Sequence, residues 1–502
     1  MVPGAHTSSQ RIGQPTDATS NRTMPPKWLI IVLCALGIGM RVHHFDSPPI
    51  GHHQWRQSDT ASVSRNMMQG DGSLWRPTMD WRGDGDGAVE MEFPLYQAAV
   101  ATLYSILDVH HWIPRLCSVA ANLLSVWIVF LLVRRISDDA TAAWTACTLI
   151  VLPLYAFFGR AIQPEAWMVC AFVCSVYCFL RWSQTQRMAW FTCAAGATAL
   201  AILLKLPSVV VGLPLLGIAM HRFGWRFLTR PMLWVFAIIS LGLPVVWYTH
   251  AHQIGIASGN SFGIARSDKW LAFSTLARPG FYANVFVGKI AEDHLAIVGV
   301  PLALLGMVVC KRKGQEWILA LWMVAMLVHI AFIAVGHSVH DYYQLPMTIP
   351  LAFYIGRFLA RSRWTVQSPK LGHVLVIVLA CTSMYTIAKL YRKERPQRAS
   401  SVTLAEAIAR ATTADDLVVI VDGYPSGDPA VLYLADRKGW ILPFDAIAPE
   451  AVRTFADRGA VIIASDLSML RSAEAVERVR ALGAAGEVVE STERVFVVRV
   501  GP

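Results

Sequence analysis

Eleven apolar stretches constrain this chain more than any other feature: residues 27–44, 113–133, 140–158, 165–182, 188–204, 207–221, 232–250, 295–310, 316–336, 345–361 and 371–390. A helix needs about 20 such residues to cross the hydrocarbon core of a bilayer, with some allowance for snorkelling ends. Inside that core only a helix or a closed barrel satisfies its own backbone polar groups. The chain is 55% hydrophobic and only 16% charged, whereas soluble domains carry about a quarter charged residues. A polytopic α-helical membrane protein with about 11 transmembrane helices is therefore expected. The net charge of +10 does not argue for nucleic acid, because the basic residues fall in short clusters between apolar runs and mark topology instead.

Threading the spans places Arg134-Arg135, Arg181 and Arg187, His221 to Arg230, Lys311-Arg312-Lys313 and Arg357 to Lys370 on one side, together with Arg11, Arg22 and Lys27. The positive-inside rule makes that side cytoplasmic, and an odd number of spans leaves the C-terminus outside. Residues 1–26, rich in Ser, Thr, Gly and Pro, read as a disordered cytoplasmic N-terminus. The first span has no small-residue cleavage site and reads as a retained signal anchor. The nine cysteines lie in or beside apolar spans and read as small core residues; Cys170, Cys174 and Cys178 form one helical stripe.

Residues 391–502 change character. Helical patterns at Val402–Ala411, Ala430–Asp436 and Ala473–Leu482 alternate with strand patterns at Leu417–Val421 and Ala460–Ala464, and a strand pair closes the chain at Val488–Val500. This alternation predicts a small extracytoplasmic α/β domain. No glycine-rich phosphate fingerprint accompanies it, so a structural or acceptor-docking role is expected ahead of catalysis.

The ionisable groups gather in the outer connections. His52-His53-Gln54-Trp55-Arg56-Gln57-Ser58-Asp59 follows the first span, and a helix over Ser58–Met68 puts Asp59, Ser62 and Asn66 on one side. Such a helix either presents polar groups to a cleft or lies on the lipid surface. The first outer loop, 45–112, continues through Asp80-Trp81-Arg82-Gly83-Asp84-Gly85-Asp86-Gly87 into Glu90-Met91-Glu92-Phe93-Pro94 and a second amphipathic helix. The Asp/Gly alternation leaves a divalent metal open, although the EF-hand spacing is not met. Proline after Glu92 fixes the direction of that carboxylate, and a helix-start acid favoured by the dipole is the plainer account. Arg65, Arg160 and Lys205 stand at outer span ends without acidic neighbours in sequence. Snorkelling explains one such cation; several converging make an anion site for a lipid phosphate. His340-Asp341-Tyr342-Tyr343 carries the hydrogen-bonding and stacking groups that a sugar needs, and equally suits interfacial aromatics.

Taken in order, Asp59 to Asn66, Glu92-Phe93-Pro94-Leu95-Tyr96, Arg160 to Glu165, Lys205-Leu206-Pro207 and Tyr342-Tyr343-Gln344-Leu345-Pro346 make residues 27–390 similar to the GT-C membrane glycosyltransferases. The resemblance is to the family-39-like branch that includes aminoarabinose transferases and protein O-mannosyltransferases. Members commonly carry an Asp-Glu pair where this chain has Arg56-Gln57-Ser58-Asp59, which leaves the catalytic base open between Asp59 and Glu92. The resemblance implies inverting sugar transfer from a polyprenyl-phosphate donor to a glycolipid, glycan or protein acceptor at the periplasmic face of the inner membrane. It further implies Arg65, Arg160 and Lys205 as donor-phosphate ligands, and His53, Arg56, Asn66, His340, Tyr342 and Tyr343 as acceptor or sugar contacts. It names no protein-bound metal. The competing classes are a lipid-linked glycan flippase and an O-antigen-ligase-like transferase; transporters place broken helices and polar groups at mid-membrane, whereas here the polar groups crowd one face.

Overall fold

A computed structural model describes residues 22–263, 271–394, 400–423, 427–446, 449–470 and 472–500; most of the expected N-terminal tail lies outside them. The described chain opens with α1 (Lys27–Val42), followed by α2 (Gln54–Gln69) and α3 (Leu95–Leu107) in the first long connection. The bundle continues with α4 (Trp112–Ile136), α5 (Asp139–Val151), α6 (Pro153–Phe158), α7 (Glu165–Thr185) and α8 (Met188–Leu204). A 3₁₀ segment, Leu206–Val211, leads into α9 (Gly212–Phe223) and then α10 (Pro231–Ser258). Short α11 (Phe273–Leu276) and α12 (Pro279–Tyr282) precede a π-helical stretch, Ala283–His294, and α13 (Gly299–Val308). The last helices of the bundle are α14 (Trp317–Phe332), α15 (Ala334–Val339), α16 (Leu345–Arg361), α17 (Arg363–Gln367) and α18 (Pro369–Tyr391).

All eleven apolar stretches are helical, but they are not equally long. Five described helical segments are long and apolar enough to cross a membrane, or six if Pro279–His294 and Gly299–Val308, bent by 102° at their junction, count as one. Proline accounts for one shortening. The span expected over 140–158 stops at Val151 because Leu152, which precedes Pro153, is held extended at φ −63°, ψ 134°. Asp138 caps α5 by accepting from the Thr141 amide, a contact worth about 1 kcal/mol. All nine cysteines are free thiols.

The correction with most bearing on function concerns α2. It starts at Gln54, earlier than expected, and every residue from Arg56 to Asn66 is buried. The helix is therefore not lying on a lipid surface. It packs between α3 and the helix α20 (Ala430–Ala435) of the C-terminal domain, which also holds α19 (Ser400–Ala411), α21 (Pro449–Asp457) and α22 (Ala473–Ala481).

That domain is a five-stranded sheet in the order β2-β1-β3-β5-β4. Strands β1 (Leu417–Asp422), β2 (Lys438–Pro443) and β3 (Ala460–Asp466) run parallel, while β4 (Glu487–Ser491) and β5 (Val495–Arg499) add antiparallel. Helices cover both faces, so Val418, Val419, Ile420 and Val421 are all buried, as a continuous apolar run in a parallel strand requires.

Candidate active site

Glu92 and Arg56 meet at one end of the bundle. The Arg56 Nη2 donates to Glu92 Oε2 over 2.7 Å, and Lys205 Nζ, at the end of α8, lies 3.7 Å from Glu92 Oε1. Lys205 in turn donates to Glu165 Oε1 over 2.7 Å. Glu165 opens α7 directly after Pro164. Two cations and two carboxylates thus alternate in one buried cluster, all four residues being less than about one-eighth exposed at the side chain. The rings of Tyr342 and Tyr343 stand 4.7 and 5.2 Å from Lys205 Nζ, within cation–π range. Gly336 has to be glycine for Tyr343 to sit there: a Cβ would come within 2.4 Å of the ring.

Burial pushes the Glu92 carboxyl up, but Arg56 and then Lys205 pull harder, and it settles at about 2. Asp59 shows the opposite balance. Burial holds its carboxyl well above the usual range, Arg56 offsets only part of that, and Asp428 and Asp80 push it further up. Neither Asp59 carboxyl oxygen has a hydrogen-bond partner among the described residues.

The other anticipated residues divide into two groups. His53 and His340 join the cluster's rim: their rings approach Tyr342 to 5.0 and 4.9 Å. His52 and His53 both point Nε2 at Asp341, each 2.7 Å from a different carboxylate oxygen. Burial raises the Asp341 carboxyl, yet these two imidazole contacts carry it well below the usual range.

Arg65, Asn66 and Arg160 stand elsewhere. Arg65 donates to Asp80 Oδ2 over 2.8 Å and to the Tyr433 carbonyl over 2.9 Å, and lies 3.1 Å from Asp436. Asn66 donates to the same Asp80 and to the Thr78 carbonyl. These two residues join α2 to the first connection and the C-terminal domain. Arg160 pairs with Glu394 over 2.5 Å and stacks on Tyr391, tying the turn before α7 to the end of α18. The carboxylates of the Asp/Gly turn are likewise taken by arginines: Asp84 by Arg458 and Asp86 by Arg76.

Glu165 and Asp341 are absent from the residues singled out by sequence. Glu165 reads as an ordinary first-turn acid, and Asp341 as one member of an aromatic run. Their signal was a carboxylate beside a proline or a histidine at a span end, which is too common to isolate them.

A cavity of ≈ 20 Å³ beside the cluster is lined by Glu165, Ser208, Val210, His329 and the two tyrosines. It has room for about one water. The opposite side of the same 3₁₀ segment, through Val209 and Val211, walls an apolar groove of ≈ 310 Å³ between α7, α8, α9 and α10.

Residues 92–248 match the family profile described as dolichyl-phosphate-mannose-protein mannosyltransferase. Among solved structures, the chain is similar to ArnT from Cupriavidus metallidurans bound to undecaprenyl phosphate. Identity is 16%, with 95% of this chain and 98% of that chain covered at a TM-score of 0.69. It is also similar to the archaeal oligosaccharyltransferase AglB from Archaeoglobus fulgidus in complex with an inhibitory peptide and a dolichol-phosphate. There identity is 11%, covering 88% of this chain and 69% of that one at a TM-score of 0.57. No curated protein sequence matches. The resemblance to GT-C glycosyltransferases therefore holds both in a sequence segment and in the fold.

Proposed function

We propose that this protein transfers a sugar from a polyprenyl-phosphate donor to an acceptor at the periplasmic face of the inner membrane. The observation that carries the reading is the Arg56–Glu92–Lys205–Glu165 cluster, whose Lys205 and Glu165 line a small cavity that shares the 3₁₀ segment Leu206–Val211 as a wall with an apolar groove. A lipid tail fits the groove, and its phosphate would then meet Lys205 and Arg56. The likeness to a fold captured with undecaprenyl phosphate supports the donor class. All eleven apolar stretches serve as spans in this reading, the shorter ones completed by their flanking turns, with the C-terminal domain outside.

In the proposed reaction, Glu92 removes the proton of an acceptor hydroxyl as its oxygen attacks the anomeric carbon. The bond to the lipid phosphate breaks with inversion, and Lys205 and Arg56 hold the leaving phosphate, whose charge grows as it departs. A carboxyl held at about 2 is a weak base while Arg56 grips it. Arrival of the donor phosphate draws Arg56 and Lys205 away and so returns Glu92 toward ordinary basicity. Glu92 takes the base role in this reading because it sits between Arg56 and Lys205, the two cations that would hold the leaving phosphate, whereas Asp59 makes no side-chain hydrogen bond among the described residues. Tyr342, Tyr343 and His340 line the sugar's place.

The C-terminal domain contributes an acceptor side. A cavity of ≈ 200 Å³ lies where β1 and β3 end, lined by Asp422, Asp428, Asp466 and, from α2, Gln54. In a sheet ordered β2-β1-β3 this is the switch point where open α/β sheets receive ligands.

Purified protein offered a panel of radiolabelled undecaprenyl-phosphate monosaccharides, with membrane extract as acceptor, tests the reading. Transfer from one donor that disappears in Lys205→Met is expected. Bound donor lipid with no transfer from any sugar would overturn it.

A further inference from the structure

We propose that His52, His53 and Asp341 form a binding site for one divalent metal ion of the zinc class. Three ligand atoms, the two Nε2 and the Asp341 carboxylate, lie within 4.8 Å of one another. They come from two segments that are distant in sequence, the entry to α2 and the turn before α16.

The local backbone is built for this convergence. His53 is the residue before α2 and adopts the left-handed conformation, φ 52°, ψ 35°, which costs a non-glycine residue roughly 1–2 kcal/mol. Consecutive side chains on an extended strand point to opposite faces; here the left-handed turn brings both imidazoles to one carboxylate. Gly51, at φ +91° and packed against the Lys393 carbonyl, permits the turn just ahead of them.

Each segment is also held from behind. The Gln57 side chain donates to the His52 carbonyl over 2.9 Å and accepts from the Ile162 amide. The Asp341 carbonyl accepts from His294 Nε2 over 2.9 Å, and His294 Nδ1 is bonded to Thr348. These bonds hold the backbone of both segments and so fix where the two imidazoles and the carboxylate start from.

A plain hydrogen-bonded clamp accounts for the two 2.7 Å contacts as well. It does not account for two adjacent imidazoles sharing one carboxylate at a strained residue while both rings remain about one-fifth exposed. Two imidazoles and one carboxylate make a three-ligand set that leaves a position open to water or substrate, and imidazole selects zinc-class ions over magnesium or calcium. The His53 ring contacts Tyr342, so the ion would fix Tyr342 and the start of α2 relative to Lys205. This role stands independently of sugar transfer, since it is read from metal content.

The test uses the full chain in detergent, purified without a histidine tag, stripped with chelator and titrated with zinc. Expected is one zinc per chain by elemental analysis, a raised melting temperature, and a visible ligand-field band when cobalt replaces zinc. Asp341→Asn, which keeps the shape and a hydrogen-bond acceptor, and His53→Ala should weaken binding by at least about tenfold. His252→Ala, at an exposed histidine beside Glu90, should bind as the parent does. No stoichiometric zinc in the parent, or binding unchanged in both site variants, would overturn the site.

Discussion

Two buried ion networks lie at opposite ends of the bundle, and their contrast separates a fastening from a site. At one end Arg361 pairs with Asp138 and, over 2.7 Å, with Glu316, which also faces Arg357 at 3.3 Å. Every carboxylate there has a structural duty: Asp138 caps α5, and Glu316 accepts from Ser137 Oγ and the Lys313 amide. At the other end Arg56, Glu92, Lys205 and Glu165 are also buried, but Lys205 and Glu165 line a cavity with two tyrosines, and an apolar groove lies across the 3₁₀ segment that follows Lys205. Glu165 keeps one carboxyl oxygen without a partner among the described residues. Burial and pairing alone therefore do not distinguish the two; what adjoins them does.

Breaking each network should produce different phenotypes. Lys205→Met is expected to lower transfer per folded molecule by about 10²–10³-fold, the loss typical of a group that stabilises developing charge, beyond the fall in melting temperature that stranding Glu165 brings. Equal losses of activity and folded yield would move Lys205 to the structural class. Arg361→Ala should cost about 3–5 kcal/mol by stranding buried carboxylates, seen as a lower melting temperature, while turnover per folded molecule stays at the parental level.

Asp59 sharpens the comparison within α2. Its folded pKa is raised above 3.8, so the native state holds a proton that the unfolded chain releases. Stability therefore falls as pH rises from 3.8 through the folded value. Asp59→Asn cannot ionise and should raise the melting temperature more at pH 8 than at pH 5, with transfer retained. Loss of transfer would restore Asp59 as a base. Glu92 titrates the other way. Depressed from 4.5 to about 2, its stabilising charge is present above 4.5 and lost only as pH falls toward 2, so melting temperature should show no Glu92-dependent step between pH 5 and 8. The smallest effect is expected at Arg458, whose pair with Asp84 is solvent-exposed and screened: Arg458→Ala should leave melting temperature and transfer indistinguishable from the parent.

Hydropathy located the long bundle helices, because the need to bury the backbone in lipid writes itself into long apolar runs; it missed α11, α12, the π-helical stretch Ala283–His294 and α17, which fall in segments read as connections. The α/β domain was legible for the same kind of reason in β1, β3, the closing pair β4 and β5, and the helices α19, α20 and α22, but β2 and α21 were not. Lys438 to Pro443 carries a lysine and a proline, the marks of an edge strand, and it is indeed one of the sheet's two edges. In the site, Glu92 and Lys205 stood out as charges at helix ends. Arg65 and Arg160 stood out equally, and only their partners separate them: Asp80 and Glu394 for these two, Glu92 and Glu165 for Lys205.

The sequence by itself determined the helical membrane architecture, the appended α/β domain and the end of the bundle where charge gathers. Those depend on local composition and period, which each segment carries alone. The tertiary structure decided which charges meet, that α2 is buried beneath the C-terminal domain, and that His52 and His53 close on Asp341. Such contacts join segments hundreds of residues apart. Their energies depend on distance and on the dielectric around them, quantities that exist only once the chain has packed.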